Sequence, residues 1–211
     1  MVSFLVRIAV LIEVRAWIER SGRGEPAMRE DEFSLVVEVA DELFYDHGVH
    51  AVTMQRIRDA SGVPLKNLYR MFPSKNDLLA ACLRRRDGIA REAVHAFVDR
   101  SADPVERVLA IFDFLDDWFR RPGFHGCVFA GAFGEVGAAA PVVVDVVQDH
   151  KRGLLELFTG LVEQFGVADP AKVAAQLAVL FDGAMAVATF TGNADAARDA
   201  RSAARAVLEA L

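Results

Sequence analysis

Helix breakers fall close together between Thr53 and Ser74, and they leave room only for two short helices. Thr53 has the side chain of an N-cap and opens the first, Met54 to Ala60. Ser61-Gly62 then forces a sharp turn, at a point where any side chain would obstruct it. Pro64 reads as the first position of the second helix, where its missing N–H costs nothing, and Pro73-Ser74 ends that helix near Phe72. Two helices this short need a shared core, and Ile57, Ala60, Val63, Leu68 and Phe72 supply one at the junction. The pattern predicts a helix-turn-helix. The outer face of its second helix is Pro64, Leu65, Lys66, Asn67, Tyr69 and Arg70. Lys66 and Arg70 are four apart and share a side, as do Leu65 and Tyr69. That face suits the major groove of duplex DNA: Lys and Arg match guanine edges or phosphates, Asn67 adenine edges, and the Tyr69 hydroxyl a phosphate oxygen.

Net charge alone argues the other way, since the 211-residue chain carries −6. Its distribution restores the argument. Residues 50–86 hold eight Lys/Arg against Asp59 and Asp77, whereas residues 28–49 and 87–211 are both acidic. One basic stretch in an acidic protein is the footprint expected of a DNA binder. Within it, Arg84-Arg85-Arg86 reads as a solvated helix face, and His47 and His50 read as surface turn residues. The two cysteines, Cys82 and Cys127, have no metal-type spacing and make no disulfide framework, which points to a reduced, cytoplasmic setting. The apolar stretch Phe4 to Ile18 is interrupted by Arg7, Glu13 and Arg15, so neither a membrane span nor a signal peptide is expected.

Helical periodicity continues along the rest of the chain and predicts an all-α fold of about nine helices after residue 28. Ser21 to Pro26 reads as a linker, and a first helix is expected to open in the acidic turn Glu30-Asp31-Glu32 and stop at His47-Gly48. A long helix runs from Lys75 to about Arg100 behind a Ser74 cap. Further helices are expected at about 104–121, 128–136, 141–166, 170–192 and 194–211.

The stretch Ala40-Asp41-Glu42-Leu43-Phe44, Gly48, Thr53, Ile57, Ser61-Gly62-Val63, Leu68-Tyr69-Arg70-Met71-Phe72-Pro73-Ser74-Lys75 and Leu78-Leu79 closely resembles the N-terminal domain of the tetracycline-repressor (TetR/AcrR) family. The resemblance covers about residues 30–86; beyond them only the helix layout is similar. It implies a three-helix DNA-binding domain over residues 28–86 and a ligand-binding and dimerisation domain over 87–211. It also implies that Thr53, Tyr69 and Lys75 hold phosphates and that residues 64–67 face bases. The full DNA-contact set read here is Thr53, Gln55, Arg56, Pro64, Leu65, Lys66, Asn67, Tyr69, Arg70 and Lys75. Two positions depart from the family pattern, which often has Gly at Lys66 and Ala at Arg58; Lys66 changes the docking depth, and Arg58 is expected to tilt outward. Residues 1–27 fall outside the resemblance and read as an extension, disordered or an artefact of an over-extended gene start at which Met28 would be the natural first residue.

The second half is rich in aromatic residues, the ordinary filling of a helical core, but their number also suits an apolar pocket. Candidate liners are Phe112, Leu115, Trp118, Phe119, Phe133, His150, Leu154, Phe158, Phe181 and Met185, facing a small hydrophobic effector. Residues 173–190 are nearly uncharged apart from Asp182, so that helix must be buried on nearly all sides; with the Ala-rich final helix it predicts a homodimer through residues 170–211. His125 and Cys127 flank Gly126, yet no orienting group or oxyanion motif accompanies them, so no enzyme, cofactor or metal is expected. The expected function is a repressor released from a palindromic operator by its effector; the alternative is a small-molecule sensor or activator with a secondary DNA-binding role.

Overall fold

The computed structural model describes residues 25–211, and the regular structure of these residues is entirely helical. Nine α-helices follow one another: α1 (Glu25–His47), α2 (Met54–Ser61), α3 (Leu65–Met71), α4 (Lys75–Val98), α5 (Pro104–Phe119), α6 (Val128–Val136), α7 (Pro141–Val162), α8 (Pro170–Thr191) and α9 (Ala196–Glu209). Short 3-10 turns follow α6 and α7. The expected all-α class with an N-terminal helix-turn-helix and a C-terminal helical bundle is what the chain forms.

Local chemistry sets most of the boundaries. The Thr53 hydroxyl oxygen accepts from the Arg56 N–H at 3.2 Å and caps α2. Ser74 and Asp77 cap α4 reciprocally: the Ser74 hydroxyl accepts from the Asp77 N–H, and the Asp77 carboxylate accepts from the Ser74 N–H. Asp103 and Asp169 cap α5 and α8, each followed by a proline inside the first turn. Gly62 ends α2 at φ 73°, a left-handed conformation that would strain any residue with a side chain. Two boundaries differ from expectation. Helix α1 starts at Glu25, ahead of the acidic turn, because Pro26 falls so near its start that the missing N–H is not needed. It therefore takes in the last residues of the expected extension; residues 1–24 lie outside the described residues. Pro64 stands one place before α3, with ψ 139°, and its carbonyl accepts from Leu68.

Two hydrophobic cores result. The first joins α1, α2, α3 and the first half of α4 around Val36, Ala40, Ile57, Leu68 and Leu79. It also takes in Phe129 and Ala132 of α6 and Val143, Val146 and Val147 of α7. The second joins the end of α4 to α5, α7, α8 and α9 around Leu109, Phe112, Leu115, Phe158 and Leu177. Of the five residues expected to form the helix-turn-helix core, Ile57, Val63, Leu68 and Phe72 are buried, whereas Ala60 is exposed. Its methyl lies on the outer face of α2, where so short a helix has no neighbour to cover it.

Helix α8 buries one face in the second core through residues such as Val173, Leu177, Phe181 and Met185. Its opposite face is bare along Gln176, Val179, Gly183, Val187 and Phe190, with Val179 72% and Phe190 84% exposed. By length and composition this is the one described helix apolar enough to cross a membrane, though seven of its residues are buried in the bundle.

Leu68 is fully buried at the meeting point of α2 and α3. Leu68→Ala is expected to cost about 2–5 kcal/mol, read as a lower urea midpoint of unfolding. A loss well under 1 kcal/mol would show that this junction is not packed as described.

Candidate DNA-binding face and internal cleft

Helix α3 presents a solvent-facing surface because Leu68 and Phe72 turn its other side into the core. Pro64, Lys66, Tyr69 and Arg70 are exposed on that surface, and Leu65 is half-buried beside them. Thr53, Gln55 and Arg56, at the start of α2, are exposed as well. Capping uses a lone pair of the Thr53 oxygen and leaves its hydroxyl hydrogen to donate to an anion. Arg58 points outward and pairs with Asp59 at 2.6 Å, so it does not intrude on the helix packing.

Two residues of the expected set have other partners. The Asn67 amide donates to the Glu32 carboxylate of α1 at 3.0 Å. The Lys75 ammonium donates to the carbonyls of Val49 and Val52 at 2.8 and 3.0 Å, so it clamps the α1–α2 turn instead of standing clear for a phosphate. The same turn is held from the opposite direction. The Glu135 carboxylate of α6 accepts from the Val49 and His50 N–H groups, both at 2.9 Å, and the His50 ring is bonded to the Glu135 carbonyl. His50 thus has a structural partner that its surface reading did not supply. Nor is the arginine run a plain solvated face: Arg85 and Arg86 pair with Asp41, Arg85 reaches Glu38, and Arg86 lies over the Tyr45 ring at 4.3 Å.

A small cleft of about 80 Å³, partly open to solvent, lies within the second half. Helix α4 contributes Asp87, Ala90, Arg91, Val94 and His95 to its wall, and α5 contributes Phe114 and Trp118. Cys127 and Phe129 come from the start of α6, His150, Lys151, Gly153, Leu154 and Leu157 from α7, and Phe181 and Met185 from α8. Of the ten residues expected to line a pocket, Trp118, His150, Leu154, Phe181 and Met185 meet here. Phe112, Leu115 and Phe158 lie fully buried in the core, Phe119 lines a separate shallow cleft with Phe124 and Thr189, and Phe133 is exposed on α6. The α4 wall was missed because that helix reads as a connector; its one signal was the Asp87–Arg91 pair at i, i+4.

The polar end of the cleft is an ordered cluster. Asp87 and His150 Nδ1 are 2.6 Å apart, Arg91 Nε donates to the other Asp87 oxygen at 2.7 Å, and the His150 ring stacks on Phe129 with centroids 3.7 Å apart and planes 2° off parallel. Gly153 makes room for Arg91, since a Cβ there would overlap the guanidinium. Burial pushes the Asp87 carboxyl upward, but its bonds to His150 and Arg91 outweigh that and hold it below the usual carboxylate range. Burial also dominates at His150 and lowers its pKa against the opposing pull of Asp87. Cys82, by contrast, is an inert thiol, pushed far up by burial beneath α1.

A histidine held below its ordinary 6.5 has a signed effect on stability. As pH falls below that value the unfolded chain takes up a proton that the folded chain refuses, so stability drops. His150→Phe removes this contribution, so its stability relative to the parent chain is expected to rise as pH is lowered from about 7.5 to about 5.5, read by urea unfolding. A difference that stays constant across that window would mean that His150 is not buried in its neutral form.

Residues 36–82 match the sequence profile of the bacterial regulatory proteins of the tetR family, and residues 104–204 match the tetracyclin repressor-like C-terminal domain. A TetR-family transcriptional regulator from Streptomyces coelicolor superposes with a TM-score of 0.78 at 30% identity, over 86% of this chain and 96% of that one. The HTH-type transcriptional activator FasR of Mycolicibacterium smegmatis is 34% identical over 98 residues, 44% of this chain and 45% of its own length. The repressor KstR2 of the same organism is 28% identical over 89 residues, 42% of each chain. The chain thus matches less than half the length of each of these two curated relatives. Helix layout, the α2–turn–α3 unit and a structural match over 86% of the chain at 30% identity agree: the chain belongs to the TetR family of bacterial transcription regulators, which are not enzymes.

Proposed function

We propose that this chain is a homodimeric, ligand-responsive repressor that leaves a near-palindromic operator when a small hydrophobic molecule enters the cleft walled by α4, α5, α7, α8 and the start of α6. The observation that carries the reading is the position of α4. It shares the first core with α3 at one end and lines the cleft at the other. Residues 28–86 act as the DNA-binding unit and residues 87–211 as the sensing and dimerising unit. Lys66, Tyr69 and Arg70 enter the major groove, while Thr53, Gln55 and Arg56 face the backbone, with Pro64 and Leu65 against bases. Asn67 reaches a base only by leaving Glu32, and Lys75 supports the site through the turn it clamps.

The dimer forms through α8 and α9. The bare stripe of α8 repeats at three- and four-residue spacing, and beside α9 it opens a shallow apolar groove lined by Ala175, Val179, Leu180, Ala203 and Val207. A second copy covers such a stripe in a four-helix contact. Two-fold symmetry then sets the α3 helices about 34–36 Å apart, one turn of DNA. An effector that moves α4 changes this spacing; a coupling of about 1–3 kcal/mol is enough for a 5–150-fold loss of affinity. The relative FasR is named an activator, which makes activation the second reading of the same DNA-bound dimer.

Selection from a randomised duplex pool tests the core of the proposal. The purified chain is expected to enrich an inverted repeat, and Arg70→Ala and Tyr69→Ala to weaken its binding by about 1–3 kcal/mol each. Affinity is expected to fall linearly on a log–log plot against salt. Enrichment of no site by folded protein would refute DNA binding through α3; a single half-site would refute the two-fold arrangement. Val179→Asp, which places a charge in the α8 stripe, is expected to give a monomer in analytical ultracentrifugation. A dimer of unchanged affinity would place the interface elsewhere.

A further inference from the structure

The polar end of the cleft specifies more than an apolar guest, on the reading above that the cleft takes an effector. Both Asp87 oxygens are occupied, one by His150 Nδ1 and one by Arg91 Nε. An ionised carboxylate only accepts, so Nδ1 must carry the hydrogen of this contact. A neutral imidazole has one N–H, and Nε2 is therefore left as a bare lone pair. The stack on Phe129 and the bond to Asp87 together hold that ring in its orientation. Among the described residues Nε2 has no hydrogen-bond partner and no sealed polar side-chain atom lacks one, so Nε2 is open to the space around it. His150 itself forms part of the cleft wall.

The charges nearby are matched. Arg91 is paired with Asp87 and Lys151 with Asp182, while His95 stands exposed at the rim. A carboxylate would turn its lone pairs toward the lone pair of Nε2 and toward Asp87, and an ammonium would meet Arg91 and Lys151. The rest of the wall is apolar, with Phe114, Trp118, Leu157, Phe181 and Met185 prominent in it. We propose that the effector is a neutral, mainly apolar molecule bearing a hydroxyl group, an alcohol or phenol, whose O–H donates to Nε2 of His150. Asp87 acts as a positioning residue that fixes the tautomer, and Arg91, seated against Gly153, holds Asp87 in place. A site built to bond a hydroxyl discriminates against the analogue that lacks it, because the lone pair is then left unpaired.

Isothermal titration with three probes that share one propylphenyl body tests this: 4-propylphenol, 4-propylanisole and 4-propylbenzoate. The phenol is expected to bind the parent chain about tenfold or more tighter than the anisole, with the benzoate weakest. His150→Phe keeps the stack on Phe129 and is expected to bring the phenol down to the anisole's affinity while leaving anisole binding intact. Asp87→Asn, which frees the tautomer, is expected to shrink the phenol–anisole ratio with less change in anisole binding. Equal binding of phenol and anisole by the parent chain would overturn the hydroxyl assignment and leave the cleft as an effector site. Tightest binding of the benzoate would replace the hydroxyl by an anion held on Arg91 and Lys151. If none of the three binds to protein whose circular dichroism is fully helical, the cleft reading itself fails.

Discussion

Helix α4, like α7, belongs to both hydrophobic cores, and it ties the outward-facing α3 region to the cleft. The first half of α4 buries Leu78, Leu79, Ala80, Cys82 and Leu83 with α1, and its end buries Val94 and Val98 with α5. Over 24 residues it extends about 36 Å without a break. Close-packed cores do not deform continuously, so a helix set in both transmits displacement as a rigid body. The waist between the cores is polar. There Arg85 and Arg86 reach Glu38 and Asp41 of α1, while Asp87 and Arg91 reach His150 and the Asp149 carbonyl of α7. Directional contacts of this kind define a rotation of α4 about its own axis, which apolar packing alone leaves loose.

Asp41 shows what such a contact demands. It is 6% exposed, the one buried charged side chain among the described residues, and burial raises its pKa against the pull of Arg86 and Arg85. A buried ion pair adds little net stability, but an unpaired buried charge is costly, so the wrong register of α1 on α4 is penalised. The same pairing reduces the local excess of positive charge. Arg85 and Arg86 answer acids of α1, which leaves Arg56, Lys66 and Arg70, together with the Asp59-paired Arg58, as the cations carried on the exposed α2–α3 surface.

Most of the fold was legible in the sequence because breakers and caps are local. Ser74, Asp103 and Asp169 act within three residues of where they stand, and Gly62 needs only its own backbone angle. The helix-turn-helix was readable for the same reason, down to its buried Ile57, Val63, Leu68 and Phe72. The cleft was half legible. Trp118, His150 and Met185 belong to strongly patterned helices, but periodicity does not tell a core face from a cleft face, so Phe112 and Phe158 entered the same set. The Asp87–His150 contact spans 63 positions and left no local mark. Lys75 shows the opposite failure: a cation beside a DNA-binding unit reads as a phosphate ligand, and only the fold reveals two backbone carbonyls within its reach.

Those carbonyls belong to the turn between α1 and α2, which buries Val49 and Val52 in the first core. Its backbone is also held by side chains from outside: Lys75 takes the carbonyls of Val49 and Val52, and Glu135 takes the N–H groups of Val49 and His50. Lys75 begins the helix that carries Asp87, and Glu135 stands six residues after Phe129, the ring beneath His150. At 1.5 Å per residue, six residues of α6 separate the cleft wall from the turn by about 9 Å. Both clamps on the turn are therefore mounted on helices that also form the cleft. Leu68 and Phe72 decide which side of α3 faces out, while the turn that leads into α2 is fixed by groups outside the helix-turn-helix, at contacts too long-range for any local pattern in the sequence to encode.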